Sequence, residues 1–209
     1  MQTTHERNDI LHGVVETPSN QRAEIAVLGA GSTAAAIVRR LVSVGFQVCV
    51  WDPMRARADA LVPYGAGVAR TPAAAAARSS ALITLLRDAD HITEAMTGTG
   101  GAVGEMEPGS LWLQMTRVEE QGAEGFAALA GTHRLAYVDA QMAGDWEAAE
   151  RGRLILLASG PESVRERSQP ILDAIGRHTR WFDTRGALNG TPHTHPPSPP
   201  NGGFLRSRA

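Results

Sequence analysis

The sequence predicts an α/β fold with a mainly parallel, doubly wound sheet, and three observations carry that expectation. Short apolar runs alternate with stretches of helical periodicity from residue 23 to about 140. The apolar runs are continuous, as expected of strands buried on both faces. The first run ends in a turn of small residues, Gly29-Ala30-Gly31-Ser32-Thr33-Ala34, that opens directly into the first helix.

Taken in order, Ala23–Leu28 (AEIAVL) reads as the first strand. From Ser32 to Val44 the pattern is helical. Ala34, Ile37, Val38, Leu41 and Val42 fall on one face, and Gly45 closes the helix. Phe46–Trp51 is the second strand, Arg55–Val62 a helix with Gly65 after it, and Gly67–Ala69 a short third strand. Thr71 and Pro72 supply an N-cap and a first-turn proline for a helix over the alanine run. Ala81–Leu86 is the fourth strand, Asp88–Met96 a helix, and Thr97–Gly104 a glycine-rich loop. Leu111–Met115, a helix from Glu119 to Ala130, and Leu135–Ala140 follow. Beyond Asp139 the pattern predicts a glycine loop, a strand over Leu154–Ala158, a helix from Pro161 to Ile175 and a last strand at His178–Phe182. The segment 145–183 is compatible with antiparallel pairing.

The ends differ in kind. Residues 1–22 are polar and aperiodic and read as a loose arm, with no apolar stretch of the signal-peptide kind. Residues 186–209 (…NGTPHTHPPSPPNGG…) have no apolar periodicity and are expected to be disordered, leaving 23–185 as the folded domain. No run approaches the roughly 18 apolar residues of a membrane span, and a net charge of -2 without clustered basic residues argues against a nucleic-acid partner. Cys49 is the single cysteine and lies within an apolar run, so it reads as a strand residue of a protein kept in a reducing, cytoplasmic setting.

The glycine turn has the form G-x-G-x-x-A between a strand and a helix, the place and pattern of a dinucleotide fingerprint in a Rossmann-type fold. Gly29 permits the tight turn, Gly31 lets the backbone approach a pyrophosphate, and Ala34 allows close packing of helix on strand. Ala30, Ser32 and Thr33 complete the cradle at the helix N-terminus, whose free N–H groups suit phosphate oxygens. Asp52 ends the second strand about twenty positions on, where a carboxylate bonds the adenosine ribose hydroxyls and favours NAD. Arg55 and Arg57 follow closely. They are either solvated helix residues or holders of a 2′-phosphate, so NAD and NADP both stay open.

Four stretches carry a family resemblance. IAVLGAGSTAAAIVRRLVSVGFQVCVWD, SSALITLLRDADHITEAM, PGSLWLQMT and VDAQMAGDWEAAERGRLILLASG resemble successive parts of the β-hydroxyacid dehydrogenase superfamily. The N-terminal domain of that superfamily is the 6-phosphogluconate dehydrogenase NAD(P)-binding domain, and the imine reductases are a close branch. The resemblance covers about residues 24–183. It implies an oxidoreductase that transfers hydride between NAD(P)H and a C=O or C=N bond of a small molecule. It also implies that Leu85 and Leu86 line the cofactor, with Arg87 in place of the family's usual proline.

The departures fall in the substrate motifs. The family's Asp-x-Ser-Thr is here Gln114-Met115-Thr116-Arg117, which keeps a hydroxyl at Thr116. Its Asp-Ala-Pro-Val-Ser-Gly-Gly is here Asp139-Ala140-Gln141-Met142-Ala143-Gly144-Asp145, which loses the serine and gains a carboxylate. Thr116, Met142, Ala143 and Gly144 are the expected substrate-lining residues, and Asp145 disfavours an anionic substrate relative to an imine. The family's catalytic lysine lies on a long helix after this domain, whereas all 20 basic residues here are arginines. The expectation is a chain that ends before the helical C-terminal domain, by truncation or by a change of reading frame near residue 188.

Other polar candidates divide between chemistry and structure. Asp139 is a candidate general acid, since imine reduction needs a proton donor, or the cap of the next turn. His91 reads as an exposed residue at a helix start, Trp112 and Trp146 as packing residues, and His193 and His195 as tail residues without the further ligands a metal needs. Two alternatives to an active enzyme stand beside it. One is a non-catalytic NAD(P)-binding module; the other is a domain that completes its site with a helical partner chain. Exposure of the surface that a helical domain would cover predicts weak self-association or poor solubility.

Overall fold

The computed structural model describes residues 24–183. The expected arm (1–22) and tail (186–209), with His193 and His195, lie outside the described residues. In chain order the strands are β1 (Glu24–Leu28), β2 (Gln47–Trp51), β3 (Gly67–Val68), β4 (Ala81–Thr84), β5 (Leu111–Gln114), β6 (Ala136–Ala143), β7 (Leu154–Ser159) and β8 (Gly176–Phe182). The helices are α1 (Ser32–Ser43), α2 (Arg55–Asp59), α3 (Pro72–Ala76), α4 (Ala89–Thr97), α5 (Glu120–Thr132), α6 (Trp146–Glu150) and α7 (Glu162–Ile175).

All eight strands share one sheet, in the order β3-β2-β1-β4-β5-β6-β7-β8. From β1 the chain winds outward to β2 and β3, then returns to the other side of β1 to lay down β4, β5 and β6. This produces a doubly wound sheet whose direction of winding reverses between β1 and β4. The first six strands are parallel; β7 runs antiparallel to β6, and β8 runs parallel to β7. The register sets one row of residues along the carboxyl edge. Leu28 pairs with both Trp51 and Thr84, Thr84 with Gln114, and Gln114 with Asp139.

Alternation along the strands divides the core in two. Ile25, Val27, Ile83, Leu113 and Val138 pack against α1, α2, α6 and α7. Ala26, Leu28, Leu82, Trp112 and Tyr137 pack against α3, α4 and α5. The helical face expected from Ala34, Ile37, Val38 and Leu41 is the buried face of α1, with Val42 partly buried beside it. Thr71 caps α3 as expected, its hydroxyl accepting from the Ala74 amide at 3.1 Å, with Pro72 in the first turn. Gly45 takes a left-handed φ of 93° just beyond the end of α1.

Three features depart from the sequence expectation. The helix expected over Arg55–Val62 breaks into α2 and a 3-10 turn at Val62–Tyr64. Pro63 lacks an N–H and disfavours helical geometry at Val62, which accounts for the break. β6 does not stop at Ala140 but runs on to Ala143, because its outer half pairs with β7 from Ala140↔Ala158 to Ala143↔Ile155. The expected glycine loop is therefore only a turn at Gly144 (φ 130°), and the residues after it form α6.

Trp112 anchors the second half of the core. It is fully buried, meets Tyr137 edge-on with centroids 5.2 Å apart, and lies 5.8 Å from Phe126. Its indole N–H donates to the Thr84 hydroxyl at 3.0 Å. Trp112→Ala should lower the unfolding free energy by about 3–5 kcal/mol in urea denaturation. A loss under about 1 kcal/mol would show that this cluster does not anchor the fold.

Candidate functional site

The glycine turn lies at the carboxyl end of β1, beside the point where the winding reverses. Gly29 adopts φ 118°, and its N–H donates to the Trp51 carbonyl at 2.8 Å. A Cβ on Gly29 would collide with the carbonyl oxygen of Leu85, just past β4, so this glycine is required twice over. Gly31 is different. Its backbone is extended (φ −63°, ψ 173°), open to any residue, and a Cβ there would meet no protein atom within 4 Å. No contact within the described fold demands a glycine at position 31.

Gly31 is the N-cap of α1 and has no side chain to satisfy the first-turn amides; the first turn holds no acidic residue either. The amides of Ser32, Thr33 and Ala34 precede the first intrahelical donor, Ala35, which bonds the Gly31 carbonyl at 2.8 Å. Ala34 is buried and lets α1 approach the sheet. An anion in front of Gly31 would meet a row of N–H donors and the positive end of a twelve-residue helix. The turn thus fits the pyrophosphate of a dinucleotide.

Asp52 is only 6% exposed. One carboxylate oxygen accepts from the Ala30 amide at 2.7 Å, the other from the Met54 amide at 2.8 Å. Arg55 stands on the surface in an i,i+4 pair with Asp59 at 3.3 Å, and Arg57 is also exposed.

On the other side of the reversal point, side chains lock the loops after β4 and β5 together. The Leu85 amide donates to the Leu28 carbonyl at 2.9 Å. The Thr116 hydroxyl accepts from the Leu86 amide at 2.9 Å and donates to the Leu86 carbonyl at 3.2 Å. Gln114, fully buried, accepts from the Thr116 amide at 2.6 Å and donates to the Thr116 carbonyl at 2.8 Å. The Gln114 clamp was not read from the sequence; the signal was an amide side chain at a strand end, where family members carry a carboxylate that can only accept. Thr116 keeps its hydroxyl, as expected, but is only 4% exposed and spends that hydroxyl on tying the loops.

Asp139 is level with Gln114 and 1% exposed, and strand alternation places it on the face of Tyr137, above α5. From that row β6 continues past the carboxyl edge by roughly 13 Å. This extension carries the half-buried Met142 and Ala143, then the exposed turn at Gly144. The Asp145 carboxylate, singled out from the sequence for its charge, is the N-cap of α6 and accepts from the Ala148 amide at 2.9 Å. α6 is tied to α1 by the Arg39–Glu150 ion pair at 2.9 Å. Trp146, at the start of α6, is 47% exposed and so is not the packing residue expected of it.

Asp88 caps α4 and holds His91 twice over. It accepts from the His91 amide at 3.0 Å and lies 2.6 Å from the ring Nδ1. The backbone bond from His91, then the ring and the Arg87 guanidinium, hold the Asp88 carboxyl well below the usual carboxylate range. Burial and the Glu24 charge push the Cys49 thiol up, away from the thiolate form. Among the described residues no cluster could hold a metal, and no helix is long and apolar enough to cross a membrane. A cavity of about 470 Å³ lies at the opposite edge of the sheet, between the end of α5 and the start of α7, and is lined by none of the candidate site residues.

The family model for the NAD binding domain of 6-phosphogluconate dehydrogenase matches residues 24–183. The chain belongs to this family. It is 29% identical to 2-(hydroxymethyl)glutarate dehydrogenase of Eubacterium barkeri over 164 residues, 78% of this chain and 54% of that protein. The Mycobacterium tuberculosis 3-hydroxyisobutyrate dehydrogenase solved with L-serine superposes with a TM-score of 0.73 at 25% identity, over 77% of this chain and 54% of the other. A variant imine reductase from Myxococcus stipitatus, solved with NAD+, shares the fold (TM-score 0.72, 24% identity, 77% and 54% covered). The chain spans about half the length of the curated relatives it matches. The domain is therefore an NAD(P)-binding domain of the 6-phosphogluconate dehydrogenase kind.

Two outcomes follow from these local geometries. Gly31→Ala should leave the fold intact and change its stability by less than about 1 kcal/mol, the reduced freedom of the unfolded chain being offset by alanine's poorer fit at a helix N-cap, whereas Gly29→Ala, held at φ 118° against the Leu85 carbonyl, should destabilise it by more than that. Equal destabilisation in thermal melts would show that position 31 is constrained by the fold. Asp88 titrates lower folded than unfolded, so its contribution is complete above the ordinary aspartate value of about 3.9 and is lost as pH falls through the depressed one. The melting-temperature gap between wild type and Asp88→Ala should be full at neutral pH and narrow below about pH 4. A gap that does not narrow on acidification would exclude the carboxylate as its source.

Proposed function

We propose that the domain holds NAD(P)H with its pyrophosphate against Gly29–Ala34 and serves hydride transfer to a C=O or C=N bond of a small-molecule substrate. The observation that carries this reading is Gly31. Its missing side chain leaves space that no protein atom fills, directly before an uncapped helix N-terminus. The nicotinamide, when bound, supplies the hydride. The chain's own residues hold and orient it. Ser32, Thr33 and Ala34 offer backbone donors to the phosphates, the Ala30 amide is held by Asp52, and Asp52 stands at the ribose end. Leu85 and Leu86, fixed by Thr116, form the wall on the far side of the reversal point. Met142, Ala143 and Gly144, on the part of β6 that overhangs the edge, are the substrate-facing residues of this proposal. The burial of Asp139 supports a structural carboxylate rather than a proton donor that substrate can reach. A cytoplasmic setting with a single cysteine belongs to the same reading.

The alternative of a cofactor-holding module without turnover is not favoured by the comparisons. Titration of the full chain with NADH and NADPH, followed by tryptophan fluorescence, tests the shared part. Trp51 adjoins Asp52 and should report saturable binding, and Gly31→Val should weaken it by about tenfold or more. Absence of binding at millimolar cofactor would overturn the proposal. Binding without consumption of NAD(P)H on any aldehyde, ketone or imine would leave only the module.

A further inference from the structure

The amino edge of the sheet, opposite the glycine turn, carries the cavity of about 470 Å³, which the cofactor reading does not use. Its volume is that of a small-molecule pocket. Two guanidinium groups, those of Arg134 and Arg167, line it together with Ser163, and no carboxylate does. Neither arginine is in an ion pair among the described residues. Gly109, in the turn before β5, ties both to one frame. Its N–H donates to the Arg134 carbonyl at 2.8 Å, and its carbonyl accepts from Arg167 Nη2 at 2.7 Å. A guanidinium has five N–H donors, so this bond leaves most of Arg167 open to a ligand. Ser163 lies in the first turn of α7, a fourteen-residue helix whose N-cap, Pro161, makes no side-chain bond to the amides behind it. The acidic residue of that turn, Glu162, is exposed and lies outside the lining. The rest of the wall is largely apolar, with the buried Tyr137, Leu135 and Val164.

Arg134 stands there against the preference of its backbone. The turn that ends α5 is closed by the Leu135 N–H on the Ala130 carbonyl at 2.8 Å and the Arg134 N–H on the Gly131 carbonyl at 3.1 Å. That geometry puts Arg134 at φ 55°, and no other non-glycine residue among those described has a positive φ. A left-handed residue just past a helix is ordinarily a glycine, which would close the turn without strain but bring no charge. We propose that this cavity is a second binding site of the domain, for a small organic oxyanion. A carboxylate or phosphate group is held by Arg134, Arg167 and the start of α7, and an apolar body lies against Tyr137, Leu135 and Val164. Guanidinium groups match the paired oxygens of such anions, and an uncapped helix start adds N–H donors and a positive dipole end. The apolar wall favours an anion that carries hydrocarbon over a bare inorganic one. The cavity shares no residue with the glycine turn, so it can be filled whether or not the cofactor is bound.

The test follows backbone amide resonances of the full chain during titration with benzoate, phenyl phosphate, inorganic phosphate and the neutral benzamide, with and without NADH. Benzoate or phenyl phosphate should shift the Gly109, Arg134 and Ser163 amides saturably. The tighter of the two should bind about tenfold or more tighter than inorganic phosphate or benzamide, and it identifies the anionic group. NADH should not displace it. Arg167→Gln should weaken it by about tenfold. Arg134→Gly should weaken it as much while raising the melting temperature, because glycine relieves the left-handed strain; a purely structural arginine would not link the two. Ser163→Glu suits a helix start and should abolish saturation in a folded chain. The proposal is overturned if neither organic anion gives saturable shifts at these three amides at millimolar concentration. Equal binding of benzamide or inorganic phosphate overturns it too, as does unchanged affinity in Arg134→Gly and Arg167→Gln. Shifts confined to Ser32, Thr33 and Ala34 and lost on adding NADH would place the anion at the glycine turn instead, and would equally overturn it.

Discussion

The backbone at Gly29 passes so close to the Leu85 carbonyl that no side chain fits between them. The carboxyl ends of β1 and β4 belong to neighbouring strands whose chains leave in opposite directions, one into α1 and the other into the loop before α4. Two backbones must turn away from each other within one strand spacing, and the positive φ of Gly29 is what allows the first to clear the second. The start of α1, the position of its amides and the line of the loop after β4 all follow from that clearance.

From this point the edge is held by a chain of polar ties. Leu85 bonds back to β1, Leu86 is gripped by Thr116, Thr116 is clamped by Gln114, and Gln114 is in register with Asp139. On the other flank Asp52 joins the glycine turn to the segment after β2. Each tie satisfies a backbone group that the loops would otherwise leave without a partner near the protein interior, where an unmade hydrogen bond is expensive. The edge is thereby preorganised across β2, β1, β4 and β5, the strands a dinucleotide laid along a doubly wound sheet crosses.

Most of this architecture was legible because it depends on local pattern. Continuous apolar runs gave the parallel strands, the 3.6-residue period of Ala34, Ile37, Val38 and Leu41 gave the buried face of α1, and the Thr71-Pro72 pair gave a helix start. The reach of β6 was not legible, because its outer half owes its strand form to a partner, β7, that lies further along the chain. Sequence periodicity reports how a segment meets the core and is silent about which strand will bond to its edge. Nor could α6 be read, since it is five residues long and relies on the Asp145 cap and on packing against α1. The glycine fingerprint was legible for a different reason. Position 29 is fixed by backbone geometry, whereas nothing in the described fold requires a glycine at 31, and a requirement imposed from outside the fold is what marks a binding position.

The side chains that looked chemical in the sequence turn out to be occupied. Asp52, Asp88 and Asp145 each accept backbone amides, and the hydroxyl of Thr116 is shared between the two ends of one peptide segment. What the carboxyl edge offers a ligand is largely backbone: the first-turn amides of α1, the open face of Gly31 and the overhanging end of β6. A site built this way depends on the course of the chain more than on the identity of the side chains near it. That explains how the proline expected after Leu86 can be an arginine and the carboxylate expected at 114 an amide, while the cradle stays intact. In such an edge the Asp52 carboxylate matters through the backbone as well, because it fixes the Ala30 amide and with it the line of the glycine turn.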